Sequence, residues 1–235
     1  MIPLLFGGEE RSLAGMYTPA GGGGTGRAVV VCPPLGQEML RAHRTLRILA
    51  ERLAGTGHDV LRFDYYGTGE SAGDGHEVTL AGCVDDAREA VDEIRDLTGA
   101  HRVSLVGFRL GALVAARAAA HPRVDRLVLC DPVLDGPAYL SRLGDDAKVV
   151  QVEGRGLWVR GFPLPEGLRR ELEEARVPPA PLPTDRTLAV TVVDPVARVG
   201  EVERVDGAPY WIEGEGISVG AVPVPLVSRV VEWHG

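Results

Sequence analysis

At 235 residues, with a formal net charge of −8 and a pI near 5.3, the chain fits one large domain and argues against nucleic acid as its main partner. Its hydrophobic fraction of 45% is ample for a core, and no stretch approaches the roughly 20 apolar residues needed to span a bilayer. Cys32, Cys83 and Cys130 are an odd number without metal-ligand spacing, and Met1–Phe6 offers too short an apolar run for a secretory signal. The expectation is a reduced cytoplasmic protein with no metal and no cofactor, its oligomeric state left open.

The first half alternates strands and helices. Gly21–Gly26 reads as a loop between the first strands, and Ala28–Cys32 is the continuous apolar run of a strand buried in a parallel sheet. A helix over about 38–54 places Met39, Leu46, Leu49 and Leu53 on one face and Arg41, Arg44, Arg47 and Glu51 on another. The strand Asp59–Asp64 leads into a glycine-containing turn, and a second amphipathic helix covers about 79–97. Next come Val103–Ala112, read as a buried strand, a glycine-flanked turn and the start of an alanine-rich helix over about 110–120, and the strand Val124–Cys130. Such alternation implies a mostly parallel sheet with helices on both faces.

Past Asp135 the rhythm changes. Val149–Glu153 and Leu157–Arg160 read as a small hairpin, followed by a short charged helix over about 165–176 and the proline-rich run Pro178–Pro183. Residues 136–184 are expected to form a reduced cap inserted into a core of 1–135 and 185–235. The sheet resumes at Thr187–Val193, with Glu201–Val205 as a weaker last strand, and a closing helix covers about 224–233.

Gly107-Phe108-Arg109-Leu110-Gly111 follows a buried strand and opens a helix, the context of the turn G-x-S-x-G, except that its middle residue is arginine. Glycine is needed on both sides because larger side chains would collide with neighbouring backbone. Three further stretches accompany it: Pro33-Pro34-Leu35-Gly36-Gln37-Glu38-Met39, Asp64-Tyr65-Tyr66-Gly67-Thr68-Gly69-Glu70-Ser71, and Asp131-Pro132-Val133-Leu134-Asp135-Gly136.

On these motifs, in this order, the chain resembles the α/β-hydrolase superfamily across most of its length. It is most similar to a branch that includes exosortase A system-associated hydrolases, several of which carry arginine in a G-x-R-L-G-A string. The resemblance implies an α/β-hydrolase fold. A triad of this fold runs nucleophile, acid, histidine. Arg109 holds the first place; Asp194, after the seventh strand, or Asp131, after the sixth, would supply the acid. The loop that should carry the histidine reads Asp206-Gly207-Ala208-Pro209-Tyr210-Trp211, without one. The late His234 falls beyond the closing helix, on a terminus expected to fray. Ser71 and Ser104 sit in a turn and inside a strand. Losing serine or histidine from a working triad costs on the order of 10⁶ in kcat, so serine esterase chemistry is not expected.

An arginine at the start of a helix, beside unpaired N–H groups and the positive end of the dipole, makes an anion site. The dipole contributes about 0.3–1 kcal/mol and a charge-assisted hydrogen bond about 1.5–3, so binding needs added apolar contacts. The guest would be an acyl or anionic small molecule. The competing reading is a buried ion pair of Arg109 with Asp131, Asp64 or Glu38. Glu38 suits a general base, a partner for Arg109, or an exposed position. Leu35, Gln37, Tyr65, Tyr66, Phe108 and Leu110 are expected to line the pocket, since ligands bind outside the carboxyl ends of parallel strands. His43 reads as structural or surface, and Cys32 and Cys130 as small buried hydrophobes.

Two functions follow. One is a non-canonical hydrolase-fold enzyme in which Arg109 holds an anionic or carbonyl group and Glu38 or Asp131 gives acid–base help. Its reaction would be elimination, cyclisation, isomerisation or non-covalent hydrolysis, in specialised metabolism. The alternative is a catalytically inactive binding or accessory protein. An open cavity around an unpaired Arg109 favours the first; a pocket closed by an Arg109–carboxylate pair favours the second.

Overall fold

A computed structural model describes residues 1–144, 149–153, 156–177, 182, 184, 186–192, 201–211 and 221–235. The chain opens with β1 (Ile2–Phe6), β2 (Leu13–Thr18) and β3 (Arg27–Cys32), then α1 (Gly36–Gly55) and β4 (Asp59–Phe63). It continues through α2 (Leu80–Thr98), β5 (Arg102–Phe108), α3 (Leu110–Ala118), β6 (Val124–Cys130) and α4 (Gly136–Gly144). A small antiparallel sheet follows, of β7 (Val149–Val152), β8 (Gly156–Val159) and β9 (Phe162–Leu164), and then α5 (Glu166–Glu174). The chain closes with β10 (Arg186–Thr191), β11 (Glu201–Arg204) and α6 (Val224–His234).

The main sheet has eight strands in the order β1-β2-β4-β3-β5-β6-β10-β11. Only β2 runs antiparallel to its neighbours; every pairing from β4 to β11 is parallel. Strand alternation divides the core in two. Ala28, Val30 and Cys32 of β3 pack with α2 and α3, while Val29 and Val31 face α1 and α6. Both faces are covered, which is why the central strands read as unbroken apolar runs.

Helix ends are fixed by local chemistry. The Thr79 hydroxyl accepts from Gly82 N–H at 3.0 Å, and Gly99 ends α2 in the left-handed conformation at φ 72°. Glu171 of α5 accepts from the Leu80 and Ala81 N–H groups at 2.5 and 3.1 Å, so a carboxylate sits at the positive end of α2. The chain leaves the main sheet and returns at one place. Gly136 N–H donates to Ala175 O at 2.9 Å, Val177 N–H to Leu134 O at 2.9 Å, and Arg176 Nε meets Asp135 Oδ2 at 2.8 Å. Neither α4 nor β9 has a distinct sequence signature: α4 is short, and β9 is a three-residue strand containing a proline.

His234 corrects one expectation. It is the last residue of α6, is 4% exposed, and donates from Nδ1 to Val230 O at 2.8 Å. Its ring meets His58 edge-on at 5.6 Å, and Trp233 shields it at 5.3 Å. Apolar packing of α6 therefore overrides terminal fraying. Arg126, near the start of β6, reaches the His234 carbonyl at 3.3 Å, which places the imidazole at the end of the sheet opposite Arg109.

Burial lowers the pKa of His234 to about 4, and burial with Arg27 and Arg126 lowers that of His58. Both rings are neutral in the fold, whereas the unfolded chain takes up protons below about pH 6.5. The stability contributed by neutral His234 is therefore full above that pH and is lost as pH drops from about 6.5 towards 4, by up to about 1.4 kcal/mol per pH unit and about 3 kcal/mol over the interval, with His58 acting in the same direction. Urea titrations across this range will show His234→Phe with a shallower acid slope than wild type; an unchanged slope would contradict the assignment.

Candidate functional site

The turn between β5 and α3 is held by close backbone approach. A Cβ on Gly107 would lie 2.4 Å from Gly111 O, and one on Gly111 would lie 2.3 Å from both Cys32 O and Pro33 O. No side chain fits at either place. Between them Arg109 takes φ 54°, ψ −120°, an arrangement costing a residue with a Cβ about 1–3 kcal/mol. Its N–H donates to Cys130 O at 3.0 Å, and its carbonyl accepts from Ala112 N–H at 3.0 Å and Val133 N–H at 3.1 Å. These bonds tie the strained residue to the end of β6.

The guanidinium is committed. Its side chain is 9% exposed; Nε and Nη2 each donate to Glu38 Oε1 at 3.2 Å, and Nη1 donates to Asp131 O at 2.8 Å. Trp211 covers the guanidinium, its ring centroid 4.4 Å away. Glu38 comes from the first turn of α1, which starts after Leu35 in extended conformation. Burial pushes its carboxyl above the usual range, opposed by the charges of Arg109 and Arg142 and by the Tyr139 hydroxyl of α4. Burial likewise raises Tyr139 and Tyr210. Tyr210 packs edge-on against Phe108 and Trp211.

Of the three carboxylates weighed for Arg109, Glu38 makes the pair. Asp131 is at φ 43° and turns its Oδ1 towards the end of β10, accepting from the Thr191 hydroxyl at 2.9 Å and Val192 N–H at 2.8 Å. Its backbone carbonyl, not its carboxylate, meets Arg109. Asp64 lies on the other side of α1, accepting from Glu70 N–H at 3.1 Å. Asp194 lies outside the described residues.

The residues expected to line a pocket separate into groups. Tyr65 is fully buried, packs on Phe63 at 5.1 Å, and donates to Pro33 O at 3.2 Å. Phe108 and Leu110 also belong to the core, at 0% and 1% exposure. Tyr66 is half-buried under Arg11 at 4.3 Å, its N–H held by Asp86 at 2.9 Å. Leu35 and Gln37 are partly exposed beside Glu38. Ser71 bridges Asp64 O and Ala14 N, and Ser104 is buried in β5. The three thiols are free and buried, and burial raises each of them. The aromatic pair Tyr210-Trp211, in the loop where a histidine was sought, was the available sign of Arg109's cover. Tyr139 had no such sign, because it lies in the unrecognised helix α4.

The family described as serine aminopeptidase, S33, matches residues 26–167, from β3 into α5. The chain belongs to this family. Its fold is that of the α/β-hydrolases. Est1E of Butyrivibrio proteoclasticus, solved with ferulic acid bound, has a TM-score of 0.71 at 16% identity, covering 98% of this chain and 95% of that one. A hypothetical protein of Pseudomonas aeruginosa gives 0.66 at 15%, covering 100% and 93%. An alpha-beta serine hydrolase homologue from Coxiella burnetii gives 0.61 at 17%, covering 99% and 94%. Two uncharacterized proteins, from two strains of Mycobacterium tuberculosis, are each 38% identical over 121 residues. That match covers 51% of this chain and 41% of theirs, so this S33-family chain spans about two-fifths of the length of the curated relatives it matches.

Breaking a buried ion pair from one side costs about 3–5 kcal/mol, whereas apolar replacement of both partners is often tolerated. Arg109→Leu and Glu38→Leu will each destabilise by an amount in that range, and the double variant will recover most of the loss. Additive single losses in urea unfolding would show that the two side chains are not coupled.

Proposed function

We propose that Arg109 stands where a serine nucleophile would be, and that this chain works by binding rather than by nucleophilic catalysis. It is a catalytically silent, hydrolase-like binding or accessory protein for an acyl or carboxylate-bearing small molecule, with residues 136–184 as a reduced cap. The G-x-R-L-G-A string groups it with the exosortase A system-associated hydrolases.

One observation carries this reading: the Arg109 guanidinium is spent on Glu38, Asp131 O and Trp211. A guanidinium stays protonated and is no nucleophile. The six histidines in the sequence are His43, His58, His76, His101, His121 and His234. His58 and His234 meet each other at the far end of the sheet, His76 faces Trp158, His101 lies by Gly26, and His121 pairs with Asp92. His43 faces Asp64. None is left to activate a nucleophile at residue 109. The alternative, a non-nucleophilic enzyme performing elimination, cyclisation, isomerisation or non-covalent hydrolysis, draws on Glu38, whose burial raises its carboxyl towards a general base's range. Its pairing with Arg109 opposes that role.

An alkyl fluorophosphonate and a series of p-nitrophenyl esters test this directly. The expected result is no adduct by intact mass and hydrolysis at the buffer rate, for wild type and for Arg109→Ser alike. A stoichiometric adduct or a burst of p-nitrophenol from wild type would overturn the reading.

A further inference from the structure

A cleft of about 590 Å³ lies on the side of α1 away from Arg109, within the 300–1,000 Å³ range of small-molecule sites. Strand register builds its floor. Pro3 lies opposite Met16, Met16 opposite Arg62, and Arg62 opposite Val31, so four side chains form one row across β1, β2, β4 and β3. Met39 and Leu46 of α1 make the facing wall, and exposed His43 stands over it. Leu5, 71% exposed, and Asp64 lie one row further along, towards the carboxyl end of β4.

Arg62 is the anomaly in this otherwise greasy space. It is 9% exposed, its Nε is buried with no hydrogen-bond partner, and Nη2 has only the Met1 sulfur at 3.6 Å. Among the described residues it makes no ion pair. Its charge senses Asp64 and Glu51, but neither comes within ion-pair distance, and Glu51 is taken by Arg47 at 3.0 Å. A buried charge without a counter-ion is costly. The deficit points into a cleft large enough for a ligand, and an anion there would remove it.

We infer that this cleft binds a monocarboxylate with an extended apolar body, its carboxylate on Arg62 and its chain along Met16, Met39 and Leu46. The inference rests on the reading of the chain as a binding protein and gives that binding a place other than the elbow, the turn between β5 and α3 that carries Arg109. A guanidinium matches a carboxylate through paired donors, and the unbranched Met side chains adapt to a flexible chain. A second cation would be expected for a phosphate; Asp64 and Glu70 at the cleft instead make that end too acidic for a dianion.

Calorimetric titration of the full chain with decanoate, decanol and decylamine decides the matter. Decanoate is expected to bind at least tenfold more tightly than the other two. Arg62→Met should reduce its affinity to that of decanol while raising Tm, because the uncompensated charge is gone. Arg62→Lys should retain affinity to within a few-fold, and Met16→Trp, which fills the floor, should abolish binding. The inference is overturned if none of the three binds at millimolar concentration, or if decanoate binds equally well to Arg62→Met. Binding lost in Arg109→Leu but kept in Arg62→Met would move the ligand to the elbow, leaving the binding reading intact. Fluorophosphonate labelling would sink the binding reading without moving the decanoate result.

Discussion

Taking a guanidinium out of water is costly unless a negative charge meets it, and Arg109 meets Glu38 across the mouth of the sheet. That contact sets the form of everything near it. The first turn of α1, the turn between β5 and α3, the loop after β6 and Trp211 all converge on one planar cation. The backbone beneath Arg109 is strained, and three main-chain hydrogen bonds hold it there. The strained backbone thus carries a side chain that points at a carboxylate. What the turn presents is a structural cross-link from Arg109 to Glu38.

The two sides of α1 divide the labour. Glu38 closes the elbow, and one residue later Met39 begins the wall of a cleft that remains open. On the closed side a carboxylate pairs with the arginine; on the open side Arg62 makes no ion pair among the described residues and meets Asp64 only at longer range. The contrast is informative because both are buried arginines on neighbouring parts of one sheet. Ligand chemistry in this chain has therefore two candidate locations, and among the described residues the cleft is the one whose buried arginine makes no ion pair.

Much of the scaffold was legible in the sequence, for a physical reason. Val124–Cys130 and Ala28–Cys32 are buried on both faces and so read as strands without ambiguity. The glycines at 107 and 111 were legible because nothing larger fits between those backbones. Arg109's environment was legible only as a choice of three carboxylates. Helical spacing puts Glu38 near the strand ends but does not say which way it reaches. Tyr65 and Phe108 looked like pocket walls because they flank the motifs, yet both turn into the core. Arg62 was hidden for another reason. An alternating polar residue in β4 normally signals a solvent face, and only the pairing of β2 with β4 turns that face into the floor of a cleft. His234 was misjudged because position in the chain is a weaker guide than the apolar face of its helix.

The central claim concerns one side chain, and nitrogen-15 NMR of the arginine Nε–H groups addresses it directly. A guanidinium locked between Glu38 and Trp211 should give a resolved Arg109 Nε–H resonance whose solvent exchange is far slower than that of an exposed arginine such as Arg47 or Arg170. The account predicts that slow exchange near neutral pH. An Arg109 Nε–H exchanging as fast as the surface arginines would contradict it, and would return the elbow to consideration as an open anion site.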